Sequence, residues 1–190
     1  MAHDVARRPG QWVRARARER ERRVWMLLGL VLAFALLVVA LSADTRHSGF
    51  AFAGLALLLV LRQVGKRHIA AAAHWVRGAA SEEAVGETLE PLTHQGYSVA
   101  HDLRQESEGN IDHLVSGPNG VFMIETKHRG YRIADLQKAR RQAKKLKDEL
   151  GVWVTPVICL DKRRARAPYR DRGVWIVSRT RIVDFVQNRP

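Results

Sequence analysis

The sequence predicts an α/β domain, built on a mixed sheet flanked by helices, that follows a hairpin of two transmembrane helices. Three observations indicate this fold class. Residues 24–43 form an uncharged apolar segment, and a shorter apolar segment follows at 48–64. From residue 69 onward, short apolar runs separated by turn residues replace these long segments, as is typical of strands. Among them, residues 133–150 carry apolar side chains at helical spacing, as expected of a helix that packs on a sheet.

The segment at residues 1–23 is strongly basic, with eight arginines before the first apolar run. The whole chain has a formal net charge of +13, and residues 1–68 hold 12 Lys and Arg against 4 Asp and Glu. Much of the excess charge therefore lies beside the predicted membrane segments, where anionic lipid headgroups would attract it. A flexible basic arm that binds nucleic acid is the alternative interpretation of this segment.

The hairpin is predicted at residues 24–67, with spans at about 24–43 and 48–64 joined by a turn at 43–47. A helix rises about 1.5 Å per residue, so 20 uncharged residues match the roughly 30 Å hydrocarbon core of a bilayer. Basic residues flank the outer ends of both spans, whereas the turn contains only Arg46. The positive-inside rule therefore predicts a multi-pass inner-membrane protein with both termini in the cytoplasm. A cleaved signal peptide is the alternative for the first span, but its apolar part is long and a second span follows.

The cytoplasmic domain is expected at 69–190, and its first half predicts a helix followed by three strands. Residues 80–94 carry apolar residues at helical spacing, although a glycine and a proline interrupt the pattern. Residues 97–103 predict a strand. Residues 111–116 and 121–127 are apolar runs on either side of a Gly-Pro-Asn-Gly turn, which predicts a β-hairpin.

The second half of the domain predicts a helix, two strands and a final helix. The amphipathic helix at 133–150 has a C-terminal stop in Gly151. Residues 152–160 and 173–177 are apolar, β-branched runs suited to interior strands. Ser178 is a suitable N-cap for the last helix.

Three ionisable residues of the hairpin are expected to share one face of the sheet. Strand side chains alternate between faces, so Glu125 and Lys127 point to the same side. Asp112, on the partner strand, pairs with Glu125 if residues 118–119 form the turn, and with Lys127 if residues 119–120 form it. Because proline cannot adopt the positive φ of a type I′ turn, the second register is favoured. Both registers bring the three side chains together.

This arrangement has two interpretations. Two neighbouring carboxylates on an apolar sheet repel each other and lose hydration unless positive charge lies between them. A divalent cation meets that need, and oxygen ligands favour Mg²⁺ or Mn²⁺ over zinc. A metal-bound water would then be the nucleophile, and Lys127 would orient it or help to deprotonate it. A cross-strand salt bridge between Lys127 and Asp112 or Glu125 is the alternative, and spacing alone does not decide between them.

A succession of short motifs resembles a known family. The motifs are Gly-Glu at 86–87, NIDH at 110–113, GPNGVFMIETK at 117–127, and a glutamine-bearing helix before the strand VTPVICL at 154–160. Together they resemble the nuclease-related domain, NERD, of the PD-(D/E)xK superfamily. The similarity covers about residues 75–160.

The resemblance implies a restriction-endonuclease-like fold and metal-dependent hydrolysis of phosphodiester bonds. It implies Asp112 and Glu125 as metal ligands, Lys127 as the catalytic lysine and Glu87 as a helix-borne acid that completes the site. The chain departs from the superfamily label in having Ile111, not proline, before the aspartate. By pattern alone, Glu87 belongs to a solvated acidic stripe on its helix.

Three further residues near these motifs have open or secondary roles. Gln137 and Gln142 are both candidates for the helix glutamine that such nucleases point at the site, and an exposed position is the alternative for each. His113 follows the aspartate directly, so alternation turns it to the opposite face. We expect a packed or hydrogen-bonded histidine there and not a metal ligand.

The helix at 133–150 is rich in Lys and Arg, and Lys138, Arg141 and Lys145 are expected to contact nucleic-acid phosphates. Ordinary solvated side chains explain the same residues. The predicted partners are nucleic acid, with DNA preferred over RNA, and the lipid bilayer. A homodimer stays open because restriction-like nucleases often act as dimers.

The predicted function is therefore a membrane-anchored nuclease that uses Mg²⁺ or Mn²⁺ to hydrolyse nucleic acid. Two alternatives remain at this stage. One is a non-catalytic module on the same fold that binds nucleic acid, and the other is an interaction domain in which the acids and the lysine form a structural ion pair.

Overall fold

The computed structural model describes residues 11–41, 48–105, 109–162 and 167–188. The described residues belong to two compact units, one at Arg14–Val76 and one that comprises residues 11–13 and those from Arg77 onward, and each is described by itself. The elements in chain order are α1 (Gln11–Leu41), α2 (Ser48–Leu89), a 3₁₀ helix (Glu90–Gln95), β1 (Ser98–Gln105), β2 (Gly109–Gly117), β3 (Gly120–Lys127), α3 (Ile133–Leu150), β4 (Val154–Leu160), β5 (Tyr169–Asp171), β6 (Val174–Ser178), a second 3₁₀ helix (Arg179–Arg181) and α4 (Ile182–Asn188).

The first unit corrects the predicted membrane anchor. Among the residues that the structure describes, none of the helices combines the length and the apolar character needed to cross a bilayer. This finding overturns the two-helix transmembrane hairpin and the multi-pass inner-membrane location. The helices do not coincide with the apolar runs, since α1 begins at Gln11, inside the arginine-rich segment, and α2 continues past Lys66 and Arg67 to Leu89. The prediction counted the uncharged windows apart from the charged residues of the same helices.

Parts of the predicted N-terminal organisation cannot be compared with the structure. Residues 1–10 of the basic segment and residues 42–47, which contain most of the predicted turn, lie outside the described residues.

The second unit is built on a six-stranded mixed sheet in the order β1-β2-β3-β4-β6-β5. The first three strands form an antiparallel meander, β4 is parallel to both β3 and β6, and β5 is antiparallel to β6. α3 makes the crossover that a parallel pairing of β3 and β4 requires. The mixed sheet with flanking helices confirms the predicted α/β class. β5 was not predicted, because a strand of three residues is too short to show a pattern.

Helices cover both faces of β3, which explains its continuous apolar run. Phe122 and Ile124 point to one side and belong to the same buried cluster as Val85 and Leu89 from the end of α2. Met123 points to the other side, into a cluster that includes Leu136 and Ala139 of α3. The buried part of the strand ends where Glu125 and Lys127 begin, so these two side chains lie at the edge of the α3 side of the core.

α2 ends earlier than the predicted helix. Proline lacks the N–H that would continue the helical ladder, and a 3₁₀ helix with Pro91 in its first turn replaces the last predicted turn. Gly96, with φ of 82°, then turns the chain into β1. α4 also begins later than predicted, since a 3₁₀ turn follows Ser178.

Candidate active site

The register of the β2–β3 hairpin determines which side chains face each other. Gly117 pairs with Gly120, so residues 118–119 form the turn. Continued by one residue beyond the pair of His113 and Ile124, the same register would bring Asp112 across from Glu125. The favoured register, with the turn one residue later, is wrong. The positive φ of the hairpin falls on Gly120, at 111°, so the proline keeps the negative φ that its ring requires.

The backbone ladder gives way to side-chain contacts at the site. The last backbone pair of β2 and β3 joins His113 to Ile124. Beyond it, the N–H of Thr126 donates a hydrogen bond of 2.6 Å to Oδ2 of Asp112. The aspartate carboxylate therefore takes the place of a backbone acceptor, which fixes Asp112 beside Glu125.

Two lysines neutralise Glu125, whose side chain is only 4% exposed. Nζ of Lys127 lies 3.0 Å from Oε1 of Glu125 and 3.2 Å from Oδ1 of Asp135. Nζ of Lys138, from α3, donates to both oxygens of Glu125, at 3.0 and 3.1 Å. Asp135 is held in turn by the N–H of Arg132, 2.7 Å from its Oδ2, at the start of α3. These contacts join the end of β3 to the first turns of α3.

The carboxyl groups of the site destabilise one another's charged forms. Burial, Glu125 and Glu82 raise the pKa of Asp112 well above its usual range, although the N–H of Thr126 opposes the shift. Burial, Glu125 and Asp102 raise the pKa of Glu82 to about 7. The region therefore lacks positive charge relative to its carboxylates, even with both lysines present.

Lys127 is a stable cation in this setting. Burial alone would lower its pKa, but the charge and the hydrogen bond of Glu125, together with Asp112 and Asp135, raise the pKa above its ordinary value. The ammonium can donate hydrogen bonds and offset negative charge. It is a poor proton acceptor, which argues against the predicted role in deprotonating water.

The helix-borne acid near these groups is Glu82 and not the predicted Glu87. Glu82 precedes Val85 and Gly86, which are buried, by three and four residues, so it lies on the inward face of α2. Glu87 is exposed, and five residues rotate a helix by about 140° from Glu82. The apolar stripe of the helix was the sequence signal that could have identified Glu82.

A second polar cluster ties α2 to the ends of β3 and β4. Oγ of Ser81 donates to Oδ2 of Asp161 at 3.0 Å and lies 2.9 Å from Nδ1 of His128. Nε of Arg179 donates to Oδ1 of the same aspartate at 2.7 Å. Since Ser81 is the residue before Glu82, the cluster positions that acid relative to the sheet. None of these four residues stood out in the sequence.

The other residues predicted on α3 lie in different places. Gln142 is fully buried, and its Nε2 donates to the carbonyl of Asn110 at 3.0 Å, close to Asp112 along β2. Gln137 is exposed on another side of the helix. Among the predicted phosphate contacts, Lys138 turns to Glu125, whereas Lys145 lies 3.8 Å from Glu149. Arg141 lines a groove with Gln137.

His113 lies on the opposite face of the sheet and is hydrogen-bonded, as predicted. Its Nε2 is 3.1 Å from Oγ1 of Thr126, and its Nδ1 is 2.7 Å from Nδ1 of His101. Nε2 of His101 lies 3.1 Å from Oε1 of Glu90. Burial and the neighbouring His101 lower the pKa of His113 to about 3, so this histidine is neutral. The chain of hydrogen bonds braces Thr126, which in turn holds Asp112.

The donor set fits a hard cation bound mainly by water and substrate. Within the described part of the chain, no group of three or more His, Cys, Asp or Glu side chains is arranged to hold a metal ion. Mg²⁺, however, is commonly bound through one or two carboxylates, with water and phosphate oxygens as the other ligands. Asp112 and Glu125 make such a pair, and the raised pKa of Asp112 shows that positive charge would be stabilising there. The residues fit a two-carboxylate site and do not form a complete protein cage.

Comparison with known proteins identifies relatives of this region. Residues 77–161 match the family described as NERD, nuclease-related domain. An uncharacterized protein of Bacillus anthracis is 34% identical over 91 residues, which cover 46% of this chain and 41% of that protein. The chain thus spans less than half the length of this curated relative.

Two solved structures also match. A repair endonuclease from Pyrococcus abyssi has a TM-score of 0.36 and 15% identity, covering 55% of this chain and 42% of the other. The structure of an EndoMS–dsDNA2 complex has a TM-score of 0.36 and 16% identity, covering 56% of this chain and 41% of the other.

Proposed function

We propose that this chain, whose residues 77–161 match the nuclease-related domain, is a nuclease that hydrolyses phosphodiester bonds of nucleic acid, DNA in preference to RNA, with a divalent metal ion. The observation that carries the proposal is that Asp112 accepts a hydrogen bond from the N–H of Thr126, the residue next to Glu125, while the ammonium of Lys127 lies 3.0 Å from the glutamate. This combination supplies two oxygen ligands and a fixed cation on one face of the sheet.

Asp112 and Glu125 would hold the metal, Mg²⁺ or Mn²⁺. When bound, such an ion polarises a phosphoryl oxygen and lowers the pKa of bound water. Lys127 contributes as a cation, donating a hydrogen bond to a phosphate oxygen and offsetting the charge that develops there. Glu125, Asp112 and Asp135 raise the pKa of Lys127, which favours the protonated ammonium.

Glu82 takes the role that the sequence assigned to Glu87. Its pKa of about 7 is close to the operating pH of most enzymes, which is favourable for a group that accepts a proton from water. The carboxylate of Glu82 would receive this proton or, through water, help to hold the metal. Glu87 serves as the matched control.

A non-catalytic module that binds nucleic acid is the second candidate. The observation in its favour is that Lys138 occupies both oxygens of Glu125, so the ligand is already satisfied by an internal ion pair. Metal binding requires Lys138 to move aside, and the lysine would then be available to a phosphate of the substrate.

The two candidates are distinguished by cleavage assays on the full chain. Single-stranded and duplex DNA and RNA are incubated with Mg²⁺, Mn²⁺ or EDTA, using the wild type and the Asp112→Asn, Lys127→Ala, Glu82→Gln and Glu87→Gln variants. A nuclease cleaves only with metal, loses at least 100-fold of its rate in the first three variants, and keeps its rate within about threefold in Glu87→Gln. Binding without cleavage in every condition supports the non-catalytic module.

A further inference from the structure

A basic groove runs along the side of α3 that faces neither the core nor Glu125. The groove has a volume of about 630 Å³. One wall of the groove consists of α3 residues at helical spacing, and the segments around β4, β5 and β6 form the opposite wall. The lining residues are Gln137, Arg140, Arg141, Ala143, Lys144, Lys147, Trp153, Val154, Pro156, Arg170 and Gly173.

The charge of the groove calls for an anionic ligand. Five of its eleven lining residues are cationic, from Arg140 to Arg170, and none of the eleven is acidic. Like charges held along one cleft raise its potential and attract counterions of opposite sign. A chain of phosphates supplies several negative charges at regular spacing, which matches a row of cations better than a single anion does.

The groove also contains an exposed aromatic side chain. Trp153 follows α3 directly and is 65% exposed. Nζ of Lys147 lies 4.8 Å from the centroid of its ring. An aromatic ring surrounded by cations is the combination by which proteins bind unpaired nucleobases, since the ring stacks on the base while the cations contact the backbone.

We propose that this groove binds single-stranded nucleic acid, with a base stacked on Trp153 and phosphates on the cations of α3. The proposal rests on the proposed function, because it names the class of substrate. Bases in a duplex are already stacked on each other and do not offer a face to an indole, so the aromatic side chain favours a single strand.

The groove and the candidate active site share α3. Gln137, at one end of the groove, is adjacent in sequence to Lys138, which contacts Glu125. Lys147, at the Trp153 end, lies nine residues farther, about 14 Å along the helix axis. A bound strand would therefore lead from Trp153 towards the carboxylates.

The test measures binding separately from cleavage. The full chain is titrated into a fluorescein-labelled thymidine 20-mer in EDTA, and affinity is read from fluorescence anisotropy. We expect Trp153→Ala to weaken binding at least fivefold, corresponding to about 1 kcal/mol for one stacked base, and Trp153→Phe to retain most of the affinity. Lys144→Ala should weaken binding several-fold, whereas Arg181→Ala, which removes one positive charge from an exposed position outside the groove, should change it less than twofold.

Three results would overturn the proposal. One is unchanged affinity in Trp153→Ala, and another is equal weakening by the Lys144→Ala and Arg181→Ala variants. The third is that duplex DNA of the same length, or poly-glutamate, competes for the protein as strongly as the single strand does. Loss of cleavage in all conditions with the expected binding pattern would instead reject the nuclease function and leave the groove assignment standing.

Discussion

Lys138 of α3 donates hydrogen bonds to both carboxylate oxygens of Glu125, at 3.0 and 3.1 Å. Lys138, which belongs to α3, thus neutralises the same negative charge on Glu125 of β3 that a bound metal ion would neutralise. In the absence of metal it stabilises a carboxylate that is almost completely buried. A metal ion held by Glu125, as proposed, would compete with Lys138 for the same oxygens.

Replacing this lysine should therefore have opposite effects on stability and on metal binding. We expect Lys138→Met to lower the free energy of unfolding by roughly 1–3 kcal/mol without metal, because Glu125 loses a buried partner. The same variant should show a larger rise in Tm with increasing Mg²⁺ than the wild type does. Both effects are measured by thermal unfolding, followed by circular dichroism. Mg²⁺ is titrated from 0 to 10 equivalents per chain and then increased until the Tm no longer changes.

The control is Lys145→Met, which removes a surface cation from the same helix. It should change the Tm little and leave the response to Mg²⁺ as in the wild type. An identical metal response in the Lys138 and Lys145 variants would contradict the competition between Lys138 and metal.

Glu82 should reduce stability at the pH where it is proposed to act. Its pKa rises from 4.5 in the unfolded chain to about 7 in the folded one, so folding is penalised as pH rises through this interval, and the penalty is complete above pH 7. Glu82→Gln removes the penalty and should raise the free energy of unfolding at pH 8 by on the order of 1 kcal/mol. Urea unfolding at pH 5 and pH 8 measures the difference.

Glu87→Gln provides the comparison, because that side chain is exposed on the same helix. Its free energy of unfolding should match the wild type at both pH values. Equal stability of the two variants at pH 8 would count against the inward position of Glu82.

How far the sequence could predict the site differs from residue to residue. Asp112 and Glu125 share a face in either register, because moving the turn by one residue changes the partner by two positions and leaves the side unchanged. The register itself could not be predicted. It depended on Gly120, which follows the turn residues 118–119, adopting the positive φ that the prediction had assigned to the turn itself. Lys138 reaches the site only because α3 docks on β3, a tertiary contact that no local pattern encodes.

The helix at 133–150 and its end at Gly151 were predicted correctly, but the prediction for α2 depended on information that no local pattern holds. An acid was assigned to the site from a motif, whereas the burial of Val85 and Gly86 determines which side of α2 faces the sheet. The membrane anchor was likewise inferred from uncharged windows, without knowledge of where the helices begin and end. Strand parity survives such errors, whereas the orientation of α2 and the limits of α1 and α2 do not.

His113 should make the protein sensitive to acid. Its pKa is about 6.5 in the unfolded chain and about 3 in the folded one, so only the unfolded state takes up the proton between these values. The stability due to the neutral histidine is fully present above pH 6.5 and falls by up to about 1.4 kcal/mol per pH unit as the pH decreases towards 3. Urea unfolding between pH 4 and pH 8 gives this slope.

In His113→Asn, the pH dependence of the unfolding free energy below pH 6.5 should correspond to about one proton fewer taken up on unfolding. His94, an exposed histidine, is the control, and His94→Asn should keep the slope of the wild type. If the His113→Asn substitution leaves the slope unchanged, burial does not keep His113 neutral in the folded protein.

Gly117 is required by the ring of Tyr97. A Cβ atom at this glycine would overlap the Cδ1 and Cε1 atoms of the tyrosine, which is itself buried. Gly117→Ala should therefore cost roughly 1–3 kcal/mol of unfolding free energy, measured by urea titration. Gly130→Ala, where the added Cβ meets no atom within 4 Å, should cost much less. The penalty at Gly117 should shrink when Tyr97→Leu is also present, and an unchanged penalty would place its origin elsewhere.

The most direct test of the central claim is a titration of the full chain with Mn²⁺, in which free Mn²⁺ is measured by electron paramagnetic resonance. If Asp112 and Glu125 hold the metal, the wild type and Glu87→Gln bind Mn²⁺ with similar affinity, and Asp112→Asn and Glu125→Gln lose at least tenfold. Mn²⁺ affinity that is the same in all four proteins, each shown to be folded by circular dichroism, would contradict the assignment of these two carboxylates as the metal site.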